Sequence, residues 1–426
     1  MKHTLLYMLG GVLLLTGCVS EKVLPAKEER ICVANMLNPN VQKSTSPANI
    51  LPSPMQEVVI WSQSGATGQN LVPHVKTREK IEKLWSTDIG TGLSSNHWTM
   101  AEPVVANRII YVLDADFNLS AIRLRTGKKI WKTKLPLNNP TAVQTVGLAY
   151  SYEKLFAVSG NGTVVCVDLD GKVVWEKNLK QAIRSTPTIY RNKLYLLTAN
   201  NQLIALNTDN GAEISRYNGM PVDTNLLGMG TPAMYKNKVV VPFSNGEVIA
   251  FNTHTDNIIW TEFVSSSRTF NHISDLTHIL ASPVIEDGIV YLIGNSNKMG
   301  AYRLNDGTQI WSQPMGGNNT PALSGNALFM INNQNILMAL DKKTGKIFWD
   351  KPLIGHDADK TASWKGPLLA GNQAIVASSA GDILFFDLKT GELNRRIETD
   401  GIVVSPIAVN ETVLFLTIDA ELIAYK

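Results

Sequence analysis

The feature that most constrains this chain is a glycine followed four residues later by a tryptophan, recurring every forty-odd residues. Gly127 precedes Trp131, Gly171 precedes Trp175, Gly307 precedes Trp311 and Gly345 precedes Trp349. Elsewhere one member is replaced: Asp256 stands ahead of Trp260, Gly211 leads to Ser215 and Gly391 to Arg395. The segment Ile81-Glu82-Lys83-Leu84-Trp85 is one further copy with no unit ahead of it. The eight equivalent positions, 85, 131, 175, 215, 260, 311, 349 and 395, lie 38 to 51 residues apart. Between them run short β-rich apolar stretches such as Ile109-Ile110-Tyr111-Val112 and Leu194-Tyr195-Leu196-Leu197, separated by turn dipeptides such as Asn161-Gly162 and Asn245-Gly246. Four short strands per unit, repeated at this period, specify the blades of a β-propeller, whereas a helical solenoid would show a 3.6-residue rhythm. The last unit ends at Ala424-Tyr425-Lys426 without its Gly-x-x-x-Trp segment. The orphan segment around Trp85 therefore supplies the missing strand. An all-β, eight-bladed propeller is expected, closed by the N-terminal strand pairing into the last blade, since an open ring leaves strand edges unpaired.

Composition agrees and excludes several classes. Of 426 residues, 44% are hydrophobic and 18% charged, ample for a packed core and too apolar for disorder. Lys and Arg total 39 against 36 Asp and Glu, without the basic excess of a nucleic-acid binder. Three cysteines are too few for a disulfide scaffold or a zinc ribbon.

Residues 1–17 read as a signal peptide, with Lys2 ahead of a short apolar run from Leu5 to Leu15. Leu15-Thr16-Gly17-Cys18 resembles the bacterial lipobox. That resemblance implies cleavage before Cys18, acylation there, and lipid-anchored attachment to the outer membrane, facing the periplasm, because residue 19 is Val rather than Asp. Residues 18–56, rich in Pro, Ser and Asn, read as a flexible tether, and 57–426 as the propeller. Cys32 in the tether is either a spare thiol or a partner for Cys166 or another chain.

The run Ala339-Leu340-Asp341-Lys342-Lys343-Thr344-Gly345-Lys346-Ile347-Phe348-Trp349 resembles the repeats of pyrroloquinoline-quinone (PQQ) type propellers. Lipobox, tether and a single eight-bladed ring together resemble the BamB family, lipoproteins of the machinery that assembles outer-membrane β-barrels. The resemblance implies a non-enzymatic scaffold, without cofactor or metal, that docks on the POTRA region of a BamA-like barrel subunit. Other assembly-machinery lipoproteins and unfolded outer-membrane proteins would be further partners, the latter met by β-augmentation of an exposed edge. Two family contact elements appear here as Leu226-Leu227-Gly228 and Ser274-Asp275-Leu276-Thr277. Leu226, Leu227, Gly228 and Asp275 are thus the implied partner-binding residues. Leu227 stands where the family has Arg and Thr277 where it has a second Asp, making the contact more apolar. The connections themselves agree: Trp260 to Pro283 spans 23 residues where Trp311 to Pro321 spans 10, and Phe270, Ile273, Leu276, Ile279 and Leu280 lie inside the longer one, to emerge together on one face of the ring or else to fold back and cap blades three to five.

Catalytic readings fare less well. Trp85, Trp131, Trp175, Trp260, Trp311 and Trp349, one per unit at fixed register, read as packing between blades rather than as aromatic walls for a quinone. Cys166 takes a slot filled by alanine in other units, and no two cysteines are adjacent as in quinoprotein dehydrogenases. The seven histidines show no metal-ligand spacing. His272 and His278 flank Asp275 and would tune that loop with pH. The alternatives left open are a quinone-dependent periplasmic oxidoreductase and a propeller serving another envelope partner.

Overall fold

The computed structural model describes residues 49–94, 100–137, 146–220, 230–255, 257–264, 279–356 and 362–426. Among them, thirty-two strands, β1 to β32 in chain order, form eight antiparallel four-stranded sheets without a helix. Consecutive strands make blade one (104–134), two (146–178), three (188–218), four (233–263), five (284–313), six (322–352) and seven (364–398). Blade eight combines β30 (Ile407–Val409), β31 (Thr412–Leu416) and β32 (Glu421–Tyr425) with β1 (Lys83–Asp88). β1 lies outermost in that sheet, antiparallel to β32, with Trp85 opposite Ala424 and Thr87 opposite Leu422. The ring closes as the orphan segment requires.

Burial grades outward in each blade. In blade one, β2 (Val104–Ala106) is wholly buried, β3 (Ile109–Leu113) and β4 (Asn118–Arg123) nearly so, and β5 (Lys129–Lys134) alternates between exposed and half-buried. The first strand is therefore the innermost. Strands covered on both faces read as continuous apolar runs, and edge strands as alternating ones carrying lysine. The faces of neighbouring blades share a core: Tyr111 and Leu113 of blade one pack with Leu155 and Val165 of blade two.

The tryptophans rivet these seams. Trp131 Nε1 donates to the carbonyl of Leu169 in the next blade at 2.9 Å. Trp175 bonds Thr208, Trp260 bonds Leu304, Trp311 bonds Lys342, Trp349 bonds Leu388, and Trp85 of blade eight bonds Leu124 of blade one. The repeat glycine receives the ring. A Cβ on Gly307, whose φ is +73°, would lie 2.7 Å from Trp260, closer than any side chain tolerates. Gly127, Gly171, Gly211, Gly345 and Gly391 face the tryptophan of the preceding blade in the same way. The two exceptions fall into register. Ser215 lacks the ring where the next blade has Asp256 for Gly. Arg395 replaces it where blade eight has Ile81, and its guanidinium bonds the Ile81 carbonyl.

Alternation of strands gives the ring two ends. Turns joining first to second and third to fourth strands lie at one, the hairpin end. Turns joining second to third strands, with the blade-to-blade connections, lie at the other, the connection end.

Residues 49–82 precede the first strand and form a belt across the axis, which corrects the sequence reading at its boundary. The last residues of the expected tether, 49–56, are held to blade six: Leu51 N donates to Asn326 Oδ1 at 2.8 Å, Ser53 N to Ser324 Oγ at 3.0 Å, and Ile50 is buried. Onward, the belt meets every other blade. Asn410 N of blade eight donates to Val58 O, Trp61 and Val105 of blade one exchange two bonds, and Tyr150 N of blade two donates to Ser62 O. Ile189 N of blade three donates to Gln63 Oε1, Met234 N of blade four to Gly68 O, and Ile285 N of blade five to Gln69 O. Val75 N then donates to Leu369 O of blade seven, and Gly371 N to Val75 O. The innermost strand of a blade presents a free edge to the axis, and backbone groups there need partners. The belt supplies one to each blade.

Candidate functional site

Two places stand out: the connections on either side of blade four, and the funnel that opens onto the axis at the same end.

The connections leading into blades four and five carry the implied partner-binding residues. Leu226, Leu227, Gly228 and Asp275 lie outside the described residues, as do Cys18, Cys32, His272 and His278. The returning ends of both connections are described, and they are tied together. Gly230 N donates to Ile279 O at 3.2 Å, and Thr231 N to Ser282 Oγ at 2.9 Å. Gly230 lies so close that a Cβ there would meet the Ala281 carbonyl at 2.5 Å. Asn70 of the belt clamps the pair, its Nδ2 reaching the Pro283 carbonyl at 3.0 Å while its Oδ1 accepts from Thr231 Oγ1 at 3.1 Å. Two connections whose bonded residues Thr231 and Ser282 are 51 apart in sequence thus re-enter the ring side by side. Ile279, expected among the outward apolar residues, is instead buried against Trp260 and Val264 of blade four. Met220, where the first connection departs, is 57% exposed.

The funnel encloses about 330 Å³. Its floor is belt, with Trp61, Ser64 and Asn70, and its wall is the starts of the innermost strands and the residues just ahead of them, including Glu102, Arg184, Thr186, Ser282, Thr320 and Lys365. Burial pushes the Glu102 carboxyl up to about 7, against the opposing pull of a hydrogen bond from Ser64 and the charge of Lys365. Burial likewise lowers Lys365, which Glu102 partly restores. A carboxyl at the entry to blade one and an ammonium on blade seven therefore line the same cavity, both drawn out of water and each holding part of the other's charge. Glu102 and Lys365 carry no local motif, and sequence reasoning missed them.

The PQQ-type repeat raises the question of a calcium-bound quinone in this funnel. The residues present do not fit one. Calcium asks for six to eight oxygen ligands, usually with several carboxylates. Here one carboxylate faces two cationic side chains, and the described residues bring no three His, Cys, Asp or Glu side chains into a metal-binding group. Cys166 is fully buried in the wall of blade two, and burial pushes its thiol up to about 12, far from nucleophilic. The six repeat tryptophans lie on the outer strands, between blades, not around the funnel.

A sequence model described as "Outer membrane protein assembly factor BamB" matches residues 115–351. The protein of that name from Escherichia coli K12 is 23% identical over 361 residues, 83% of this chain and 91% of its own. The crystal structure of BamB from Moraxella catarrhalis superposes with a TM-score of 0.69 at 16% identity, covering 82% of this chain and all of that one. Quinohemoprotein alcohol dehydrogenase from Comamonas testosteroni superposes at 0.63 with 14% identity, covering 86% and 80%. At such identities the superpositions speak for the ring alone.

Proposed function

Since the chain belongs to the family of BamB outer membrane protein assembly factors, we propose that it works as a lipid-anchored, non-enzymatic scaffold on the periplasmic side of the outer membrane. Its docking surface for a BamA-like barrel subunit is built from the connections flanking blade four. The observation that carries this reading is the clamp between those connections: Gly230 to Ile279, Thr231 to Ser282, and Asn70 across both. Long loops hold a binding geometry only when a rigid frame fixes their ends. Leu226, Leu227, Gly228 and Asp275 fall in sequence just ahead of ends framed in this way. With Leu227 and Thr277 in place of charged groups, the contact would rest on buried apolar area, and polar pairing would contribute less.

Leu226→Glu and Leu227→Glu, expressed with the native anchor, are expected to abolish co-purification with the barrel subunit from envelope membranes while the melting transition stays in place. Undiminished co-purification from both variants would remove these loops as the docking surface. The oxidoreductase alternative predicts that pyrroloquinoline quinone with calcium raises the melting temperature. The single carboxylate of the funnel, set among cationic side chains, supports the opposite expectation, no shift.

A further inference from the structure

The hairpin end of the ring combines three features. First, the belt exposes apolar side chains there in close succession: Leu51 at 59%, Met55 at 39%, Val59 at 51% and Ile60 at 47%. Leu51, Val59 and Ile60 are placed by bonds to first-to-second-strand turns or to inner strands just before them, and Met55 by Gln56, whose N donates to His74 O, with the His74 ring meeting the Gly371 carbonyl in the corresponding turn of blade seven. Leu51 lies against Asn326, Val58 against Asn410, and Trp61 against Val105. Second, a groove of about 340 Å³ opens beside them, lined by Glu57, Lys76, Arg108, Arg125, Glu411 and Lys426 together with Leu84 and Leu124. Four cationic side chains there face two carboxylates. Lys76 and Lys426 are engaged by Glu411, at 3.2 and 4.0 Å. Arg108 and Arg125 make no ion pair among the described residues. Third, the chain reaches this end directly from the acylation signal: Asn49 is hydrogen-bonded to Asn326 in the turn of blade six, 31 residues after Cys18.

We propose that the hairpin end rests on a phospholipid surface, with Leu51, Met55, Val59 and Ile60 entering the headgroup region and Arg108 and Arg125 meeting its phosphates. Arginine's planar fork suits phosphate oxygens, and the apolar side chains need somewhere to go. The inference rests on the lipid anchoring proposed above. A linker of 31 residues has a root-mean-square span of about 30 Å if flexible. An acylated chain is therefore kept near the bilayer, and the second contact is intramolecular, at an effective concentration in the millimolar range. A patch far too weak to bind a membrane alone is then enough. The occupied end is the opposite of the one bearing the connections, so both surfaces are free to be used together.

The test uses the full, acylated chain in a Cys32→Ser background, reconstituted on vesicles of phosphatidylethanolamine and phosphatidylglycerol. An environment-sensitive fluorophore is attached at Val59→Cys, or at Gln334→Cys in the opposite, second-to-third-strand turn of blade six. The label at 59 should shift to the blue on vesicles, and the label at 334 should not. Arg108→Glu with Arg125→Glu should diminish the shift at 59 while flotation with the vesicles, which reports the acyl anchor, is unchanged. If flotation itself fails, the anchoring reading falls. If flotation holds and position 59 stays as aqueous as 334, this inference is overturned. It is overturned equally if position 59 becomes protected only when the barrel subunit is added, for then a protein covers the patch.

Discussion

At the residue scale the ring is held by a paired choice that recurs at six of the eight seams: a large ring on one blade, the absence of a side chain on the next. Gly307 and Trp260 illustrate why the two are coupled. With a Cβ 2.7 Å from the indole and φ at +73°, Gly307→Ala carries both a clash and left-handed backbone strain. Trp260→Ala leaves a void in a seam where Trp260 is only 7% exposed and should cost about 3–5 kcal/mol. In a double-mutant cycle read by chemical denaturation, the two changes should be sub-additive, because removing the indole removes the clash. Strict additivity would show that the glycine serves the turn alone. This part of the fold was legible in the sequence because each unit states it locally, within five residues. Even the departures were legible as departures. Arg395 could be seen to lack the tryptophan, but only the structure shows its guanidinium reaching the Ile81 carbonyl across the closing seam. That contact joins residues 314 apart.

At the element scale the belt is the part that the sequence concealed. Its bonds go to eight different sheets, one or two at a time, so no period of 2 or 3.6 could betray it, and its Pro, Ser and Asn content reads as linker. Asn70 shows the cost of that invisibility. It is 1% exposed and its side chain serves Thr231 and Pro283 together, yet nothing in its neighbourhood marks it. Asn70→Ala would leave the Pro283 carbonyl and the Thr231 hydroxyl short of partners, at about 1–3 kcal/mol. The same change should loosen the connections flanking blade four. Hydrogen exchange should therefore rise at Gly230 and Thr231 more than in blades one and seven. A uniform rise would reduce Asn70 to ordinary packing. The connections proposed for docking stood out in the sequence by their length. Their frame did not, because it is made by residues from the belt and from two connections that no local pattern unites.

At the scale of the whole molecule, the axis joins blades that are distant in sequence. Glu102 and Lys365 are 263 residues apart and meet only because the ring closes. The folded carboxyl sits at about 7, above its unfolded value of 4.5. Its contribution to stability is therefore complete below pH 4.5 and is lost as pH rises through 7. Glu102→Gln removes that loss, so the melting temperature of the unaltered protein should fall relative to the variant between pH 5.5 and 8.5, with the two close at the acid end. Parallel curves would place Glu102 in water. Closure has a temporal side as well. The stretch from Asn49 to Asp88 is made early, yet its partners extend to Asn410 and Tyr425. It has nowhere to settle until the far end of the polypeptide has been synthesised. The earliest portion to be made is thus among the last to become native, and folding waits on contacts of very long sequence separation. A chain tethered at Cys18 during that interval would be fastened to its membrane before it had a shape.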